Sequence, residues 1–352
     1  MEKKDLKKIY HNSPAGPIIF TVLLFLMPVF ISSNYIFTIF IMIGFYALVC
    51  NGMTMLTGFA GQISLGQATF YGIGAYSSAI VTGTYGLSPW IGMIAGMILG
   101  ALIALIVGIP TFRLKGHYLA LATLGFGIIV YTSFKEMKDL TGGSNGFFGI
   151  PTINLFGFEF NNDLRYFYLV WVFVMIGLIF SRNIIHSRIG RALRSIEGSE
   201  VASDAVGVNI MNYKLQAFML SAMFASLSGS LLAHYVTFIN PELFGAMTSI
   251  YFLLMVIIGG SSSIWGSIVG AATYVLLGEI LKQLVPMFLP SAGGEFEIMF
   301  FGILLVVTLI YMPNGLYPQF EKLFSKFKKK KEKVQPPLQV GGDRVASGGE
   351  NQ

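Results

Sequence analysis

The feature that most constrains this chain is a succession of ten mostly apolar stretches, at about 16–31, 35–56, 62–82, 89–109, 117–134, 165–181, 214–236, 248–260, 264–284 and 296–312. Each approaches the roughly 20 residues that carry a helix across a bilayer, and shorter runs suffice where a helix is tilted, broken or buried among others. Only 11% of residues are charged, against about 25% in soluble chains, which leaves too little charge to cover a water-facing surface. The 41 glycines suit membrane helices whose backbones approach closely. The expected fold is an all-α integral membrane protein, a polytopic helical bundle with about ten spans. The uncharged junction at 57–61, and 248–263, which reads as a full span or a half-helix, leave the count open by one or two.

Basic residues give an independent test of orientation, because short cytoplasmic loops collect lysine and arginine. With the N-terminus inside and ten alternating spans, all but Lys135, Lys138, Arg165 and Lys282 of the 23 basic residues fall on the cytoplasmic side. The expectation is therefore a cytoplasmic segment at 1–15, a membrane domain at 16–312 and both termini inside. That domain would carry an extracytoplasmic loop at 135–164 and a cytoplasmic loop at 182–213. The tail, 313–352, turns from lysine-rich to polar and has nothing to bury. No small-x-small cleavage site follows the first stretch, which is kept as a helix rather than a signal peptide.

Several chemistries are excluded. Cys50 is the only cysteine, and His11, His117, His186 and His234 show no ligand spacing, so neither metal nor other cofactor is expected. A phosphate-cradling G-x-x-x-x-G-K-[ST] loop is absent, and with it ATP hydrolysis by this chain. Within the stretches, ionisable residues are few, chiefly His234 and the pair Glu279 and Lys282, which reads as an interfacial ion pair. A proton relay or a membrane-embedded enzyme would need more.

Two segments break the apolar pattern. From Gly58 to Ala75, Gln62, Ser64, Gln67 and Thr69 stand among five glycines, and amides facing hydrocarbon are costly, so this stretch belongs in the bundle interior. A translocation path lined by Gln62, Ser64 and Gln67, and tight packing glued by polar side chains, use the same physics. The second break, Gly259 to Ser267, reads as a cytoplasmic turn. Gly92, Gly96, Gly100, Ala104 and Gly108 recur every four residues and mark a packing stripe on one helix. In the cytoplasmic loop, Ala192, Ile196, Val201 and Ala205 suggest short amphipathic helices broken at Gly198 and Gly207.

Four blocks carry a family resemblance. Gly58 to Ala75 resembles a G-x-A-G-Q-x-S-L-G-x-A block, Arg113 to Leu124 an R-L-x-G-x-Y-x-A-x-x-T-L stretch, and Thr141 to Gly146 a T-G-G-x-x-G outer loop. Gly190 to Glu279 is similar to the cytoplasmic loop and following helices of the same family. That family is the permease subunits of ATP-binding-cassette importers for branched-chain amino acids, with urea and amide relatives.

The resemblance implies a non-hydrolytic permease in a bacterial or archaeal inner membrane, forming half of a path for a small amino acid. Urea or short amides are the alternative cargo, and a stand-alone carrier the competing class. Implied partners are a second permease subunit, two ATPase subunits, an extracytoplasmic substrate-binding protein and membrane lipid, with no nucleic acid. The path is expected at Gln62, Ser64, Gln67 and Thr123, and ATPase coupling at Arg194, Glu200, Ala202, Ala205 and Gly207. Of the family's E-A-A-x-x-x-G-like coupling pattern, Ala202 and Gly207 fit, Ser203 replaces the second alanine, and the acid, Glu200, stands one residue early. Histidine is more usual at the position of Gln67.

Overall fold

The computed structural model describes residues 24–28, 33–114, 116–155, 157–288, 295–311 and 315–319. The expectations for 1–15, for most of 16–31 and for the tail beyond 319 fall outside the described residues. Helix α1 (Asn34–Thr54) runs into a single π-turn (Met55–Phe59), and the chain then opens before α2 (Gln67–Gly83). Next come α3 (Pro89–Thr111) and α4 (His117–Glu136). After the short α5 (Lys138–Thr141) lie β1 (Phe147–Phe148), β2 (Asn154–Leu155) and β3 (Phe158–Glu159). The second half has α6 (Asp163–His186), the short α7 (Arg188–Gly198) and α8 (Glu200–Ala205), then α9 (Ile210–Val236) and β4 (Phe238–Ile239). It closes with α10 (Ala246–Gly259), α11 (Trp265–Phe288) and α12 (Glu295–Tyr311).

Five helices among the described residues are long and apolar enough to cross a membrane: Asn34–Phe59, which joins α1 to its π-turn, and α3, α4, α6 and α9. At about 1.5 Å per residue, the 14 residues of α10 span roughly 21 Å, short of a hydrocarbon core of about 30 Å. The end carrying α7 and α8 is called inner below, and the end carrying 137–162 outer, after the distribution of basic residues. The outer loop departs from an all-α reading. There β1 pairs antiparallel with β4, Phe147 opposite Ile239, and β2 pairs with β3.

Helix α9 is the centre of the bundle. Its Ser226 and Ser230 hydroxyls donate to the carbonyls of Phe70 and Gly74 on α2, at 3.0 and 2.9 Å, and Ser228 donates to Phe45 on α1 at 2.7 Å. These bonds need backbones in near contact. A Cβ added at Gly74 would overlap the backbone of Ser226, and one at Gly229 the carbonyl of Tyr71. The stripe on α3 joins the same stack, with Gly92 against Ser78, Gly96 beside Ser77 and Ser230, and Gly100 against Ser226. Its opposite face, Ile94, Ile98, Leu102 and Ile106, is exposed, as a surface meeting lipid tails would be.

This packing makes a direct prediction for the chain purified in detergent. Gly229→Val, which drives a methyl-bearing carbon into the Tyr71 carbonyl, should cost on the order of 1–3 kcal/mol and lower the thermal midpoint. Gly125→Ala, where nothing lies within 4 Å of the added carbon, should stay within about 0.5 kcal/mol of the parent. Equal midpoints for the two variants would mean that the α2–α9 approach does not hold the bundle.

Candidate translocation path and cytoplasmic coupling segment

The polar break has a local cause. After the π-turn, Gly61 adopts φ +67°, a left-handed conformation that favours glycine, and the chain runs without regular secondary structure to Gly66. Helix α2 therefore starts at Gln67 rather than at 62, and its first amides need acceptors from neighbouring side chains. Thr123 on α4 supplies one: its Oγ1 accepts from Leu65 N–H at 3.0 Å. Ser249 on α10 supplies another, accepting from Ala68 N–H at 3.0 Å. Both side chains are buried.

The four expected path residues are not gathered at one point. Gln62 donates to Ala60 O at 2.9 Å, and the Ser64 hydroxyl accepts from Gly66 N–H at 3.3 Å, so both serve the turn itself. Gln67 is wholly enclosed on the other side of α2, where Nε2 donates to Ser221 of α9 at 2.7 Å. Its Oε1 has no partner among the described residues. Thr123 alone faces α2 from across the seam between α2, α4 and α10. Ser249, which sequence reasoning missed, completes that seam. A serine inside an apolar run was the available signal.

At the outer end, His234 is fully buried and ties three elements. Its Nδ1 lies 2.7 Å from Pro151 O and its Nε2 2.8 Å from Ser78 Oγ. A carbonyl only accepts, so Nδ1 carries the proton and Nε2 accepts from the serine. This use of His234 positions the outer loop and needs no proton transfer. The Glu279 and Lys282 pair forms at 2.9 Å, and Tyr35 also donates to Glu279.

At the inner end, Ser199 caps α8 by accepting from Ala202 N–H, and the buried Ser203 hydroxyl donates back to Ser199 O at 2.9 Å. The Glu200 carboxylate pairs at 2.7 Å with Lys214, an α9 residue only 4% exposed. Glu200 is thus an internal anchor of α8. Arg194 donates to Ile185 O at 3.1 Å and holds α7 to the end of α6. Leu193 and Ile196 are buried, whereas Val201 and Val206 are 81% and 76% exposed, with Ala202 and Ala205 exposed beside them. Gly207, at φ +82°, ends the helix. The inner loop so presents an exposed stretch in which Val201, Ala202, Ala205 and Val206 flank one acid, Asp204. Glu197 of α7 lies against Gly61, which joins this loop to the break before α2.

A bundle of membrane-crossing helices with a buried polar break and a rigidly anchored inner loop defines a multi-pass membrane transport subunit. Residues 35–309 match the family described as branched-chain amino acid transport system, permease component, and the chain belongs to that family. It is the permease subunit of an importer, a transport component rather than an enzyme. The high-affinity branched-chain amino acid transport system permease protein LivM of Salmonella typhimurium is 31% identical over 296 residues, 78% of this chain and 68% of that one. The probable branched-chain amino acid transport permease protein LivM of Methanocaldococcus jannaschii is 24% identical over 341 residues, 85% and 98% of the two chains. The Salmonella typhimurium permease LivH is 26% identical over 298 residues, 79% and 93% of the two chains.

The acceptor role of Thr123 is testable. Thr123→Val keeps the shape but leaves the part-buried Leu65 N–H unpaired, at a cost of about 1 kcal/mol. The thermal midpoint should fall accordingly, while Thr123→Ser should remain near the parent. A Val variant as stable as the parent would show that this bond does not hold the start of α2.

Proposed function

We propose that the chain is the LivM-like half of a heteromeric, ATP-driven importer of branched-chain amino acids. It would cross the membrane about ten times with both termini cytoplasmic. Similarity to LivM at 31%, above the 26% to LivH from the same organism, supports this half. Its partner is then a LivH-like permease, and two ATPase subunits and an extracytoplasmic binding protein complete the assembly. The path runs along the α2–α4–α10 seam past the break that holds Gln62 and Ser64 and past Thr123 of α4, with Gln67 fixing α2 to α9. An apolar cargo side chain needs few polar contacts, in keeping with a seam whose polar side chains are engaged with the backbone.

Coupling is assigned to 194–209, and one observation carries it: the exposed stretch of α8 and its C-cap, with Val201, Ala202, Ala205 and Val206 outward around Asp204, backed by the pair of Glu200 with the buried Lys214. An ATPase cleft receiving that stretch would pull α6, α7 and α9 as one body. Charge placed there would enter the cleft unpaired.

Reconstituted alone, the chain should take up no amino acid with or without ATP, and the full assembly should. Ala202→Arg should leave the assembly intact but abolish most substrate-stimulated ATP hydrolysis and uptake. It is a cleaner probe than Gly207→Arg, because the positive φ of Gly207 strains any side chain there. Full activity in an assembled Ala202→Arg complex would move the coupling site elsewhere in the inner loops.

A further inference from the structure

The seam continues outward past Thr123 and changes character. Gly127 of α4 lies beside Thr69, and within about two further turns the seam closes with aromatic rings. Phe244, 2% exposed, sits at the end of a single 3-10 turn (Pro241–Phe244) that enters the bundle just before α10. Its ring centroid lies 5.6 Å from Tyr71, 5.7 Å from Tyr76 and 6.5 Å from Phe134. Gly72 makes the seat: a Cβ there would fall 2.9 Å from Phe244 Cγ and 2.8 Å from Phe134 Cε2. The hydroxyls of Tyr71 and Tyr76, both residues 2% exposed, have no hydrogen-bond partner among the described residues.

The same 3-10 turn is tied down from outside. Glu242 Oε1 accepts from Lys135 Nζ and from the Tyr131 hydroxyl, each at 2.8 Å, and Lys135 also donates to Tyr131 at 2.9 Å. Those two bonds hold the Glu242 carboxyl below the usual carboxylate range. From Thr123 to Lys135 the seam rises about 18 Å along α4, more than half of a hydrocarbon core of about 30 Å. The polar break at Thr123 therefore lies towards one end of α4, and the Phe244 cluster and the Glu242–Lys135–Tyr131 group lie together towards the other.

We propose that the Pro241–Gly245 segment is the outer gate of the translocation path, with Phe244 as its plug and Glu242, bound to Lys135 and Tyr131 of α4, as its clasp. The proposal rests on the permease reading above. The segment is short and hung between two fixed points, β4 paired with β1 on one side and α10 on the other, so a few backbone torsions suffice to swing it. Lifting Phe244 would uncover the Tyr71 and Tyr76 hydroxyls, which can donate to the carboxylate of a zwitterionic cargo or accept from its ammonium. The vacated aromatic seat would take an apolar side chain. An exposed ion pair is a weak tie, which is what a clasp opened by docking or nucleotide requires.

The test uses the complete importer in proteoliposomes, with its partner permease, ATPases and binding protein. Cys50 is wholly buried, so a membrane-impermeant maleimide applied from outside reports on an added cysteine. Phe244→Cys should label several-fold faster during turnover with leucine, binding protein and ATP than with ATP omitted. Adding Glu242→Gln should raise the resting rate roughly two- to fivefold, the range open to one exposed ion pair. A Tyr131→Cys and Glu242→Cys pair joined by a reducible bifunctional thiol reagent should stop uptake, and reduction should restore it. Labelling equal in both conditions, no effect of Glu242→Gln, or uptake at the parent rate by the joined variant would each overturn the gate. If the parent complex itself moves no amino acid, it is the permease reading that fails.

Discussion

An apolar side chain gains little by leaving lipid tails for a protein interior of the same polarity, so membrane helices hold together by close packing and by hydrogen bonds between them. Helices α2 and α9 use both at the same positions. Gly74 and Gly229 remove the side chains that would keep the backbones apart, and Ser226 and Ser230 use the short distance to donate to carbonyls of α2. Helix α3 lays its glycine stripe across the pair, and α1 joins through Ser228. Helices α6, α10 and α11 pack against α1 of this stack.

The stack in turn permits the late start of α2. A helix that begins at a break leaves free amides, from which neighbouring side chains must accept. Thr123 and Ser249 do so from two different helices, and Gln67 fixes the first turn to Ser221. Three helices thereby meet at the break, and the inner loop touches it through Glu197 and Gly61. Motion of α7 and α8 thus has a short route to the seam.

What was legible in the sequence followed from periodicity and composition. The stripe on α3 repeats every four residues and could be assigned to packing; the structure seats Gly92, Gly96 and Gly100 against serines that had no such mark. The polar break was visible because glutamines are costly in hydrocarbon, but the partners of its amides were not, since Ser249 is 181 residues from Ala68 in sequence. Helix breaks at Gly198 and Gly207 could be read from the glycines. The anchoring of Glu200 by Lys214 could not, because a lysine at the edge of a span looks like any cytoplasmic base. Strands of two residues, such as β1 and β4, carry no periodic signal.

The outer loop is held more firmly than its irregular path suggests. Its β1 strand pairs with β4, Ile150 N–H reaches Thr237 O, the Pro151 carbonyl is taken by His234, and the Asn154 carbonyl receives the Trp90 indole N–H at 2.7 Å. Backbone freedom over 147–154 has therefore been surrendered when the chain folds. A macromolecule approaching from outside meets a surface whose ordering entropy does not have to be lost again on contact. Rapid, repeated docking and release would be favoured by such a surface, because its shape is the same before and after each visit.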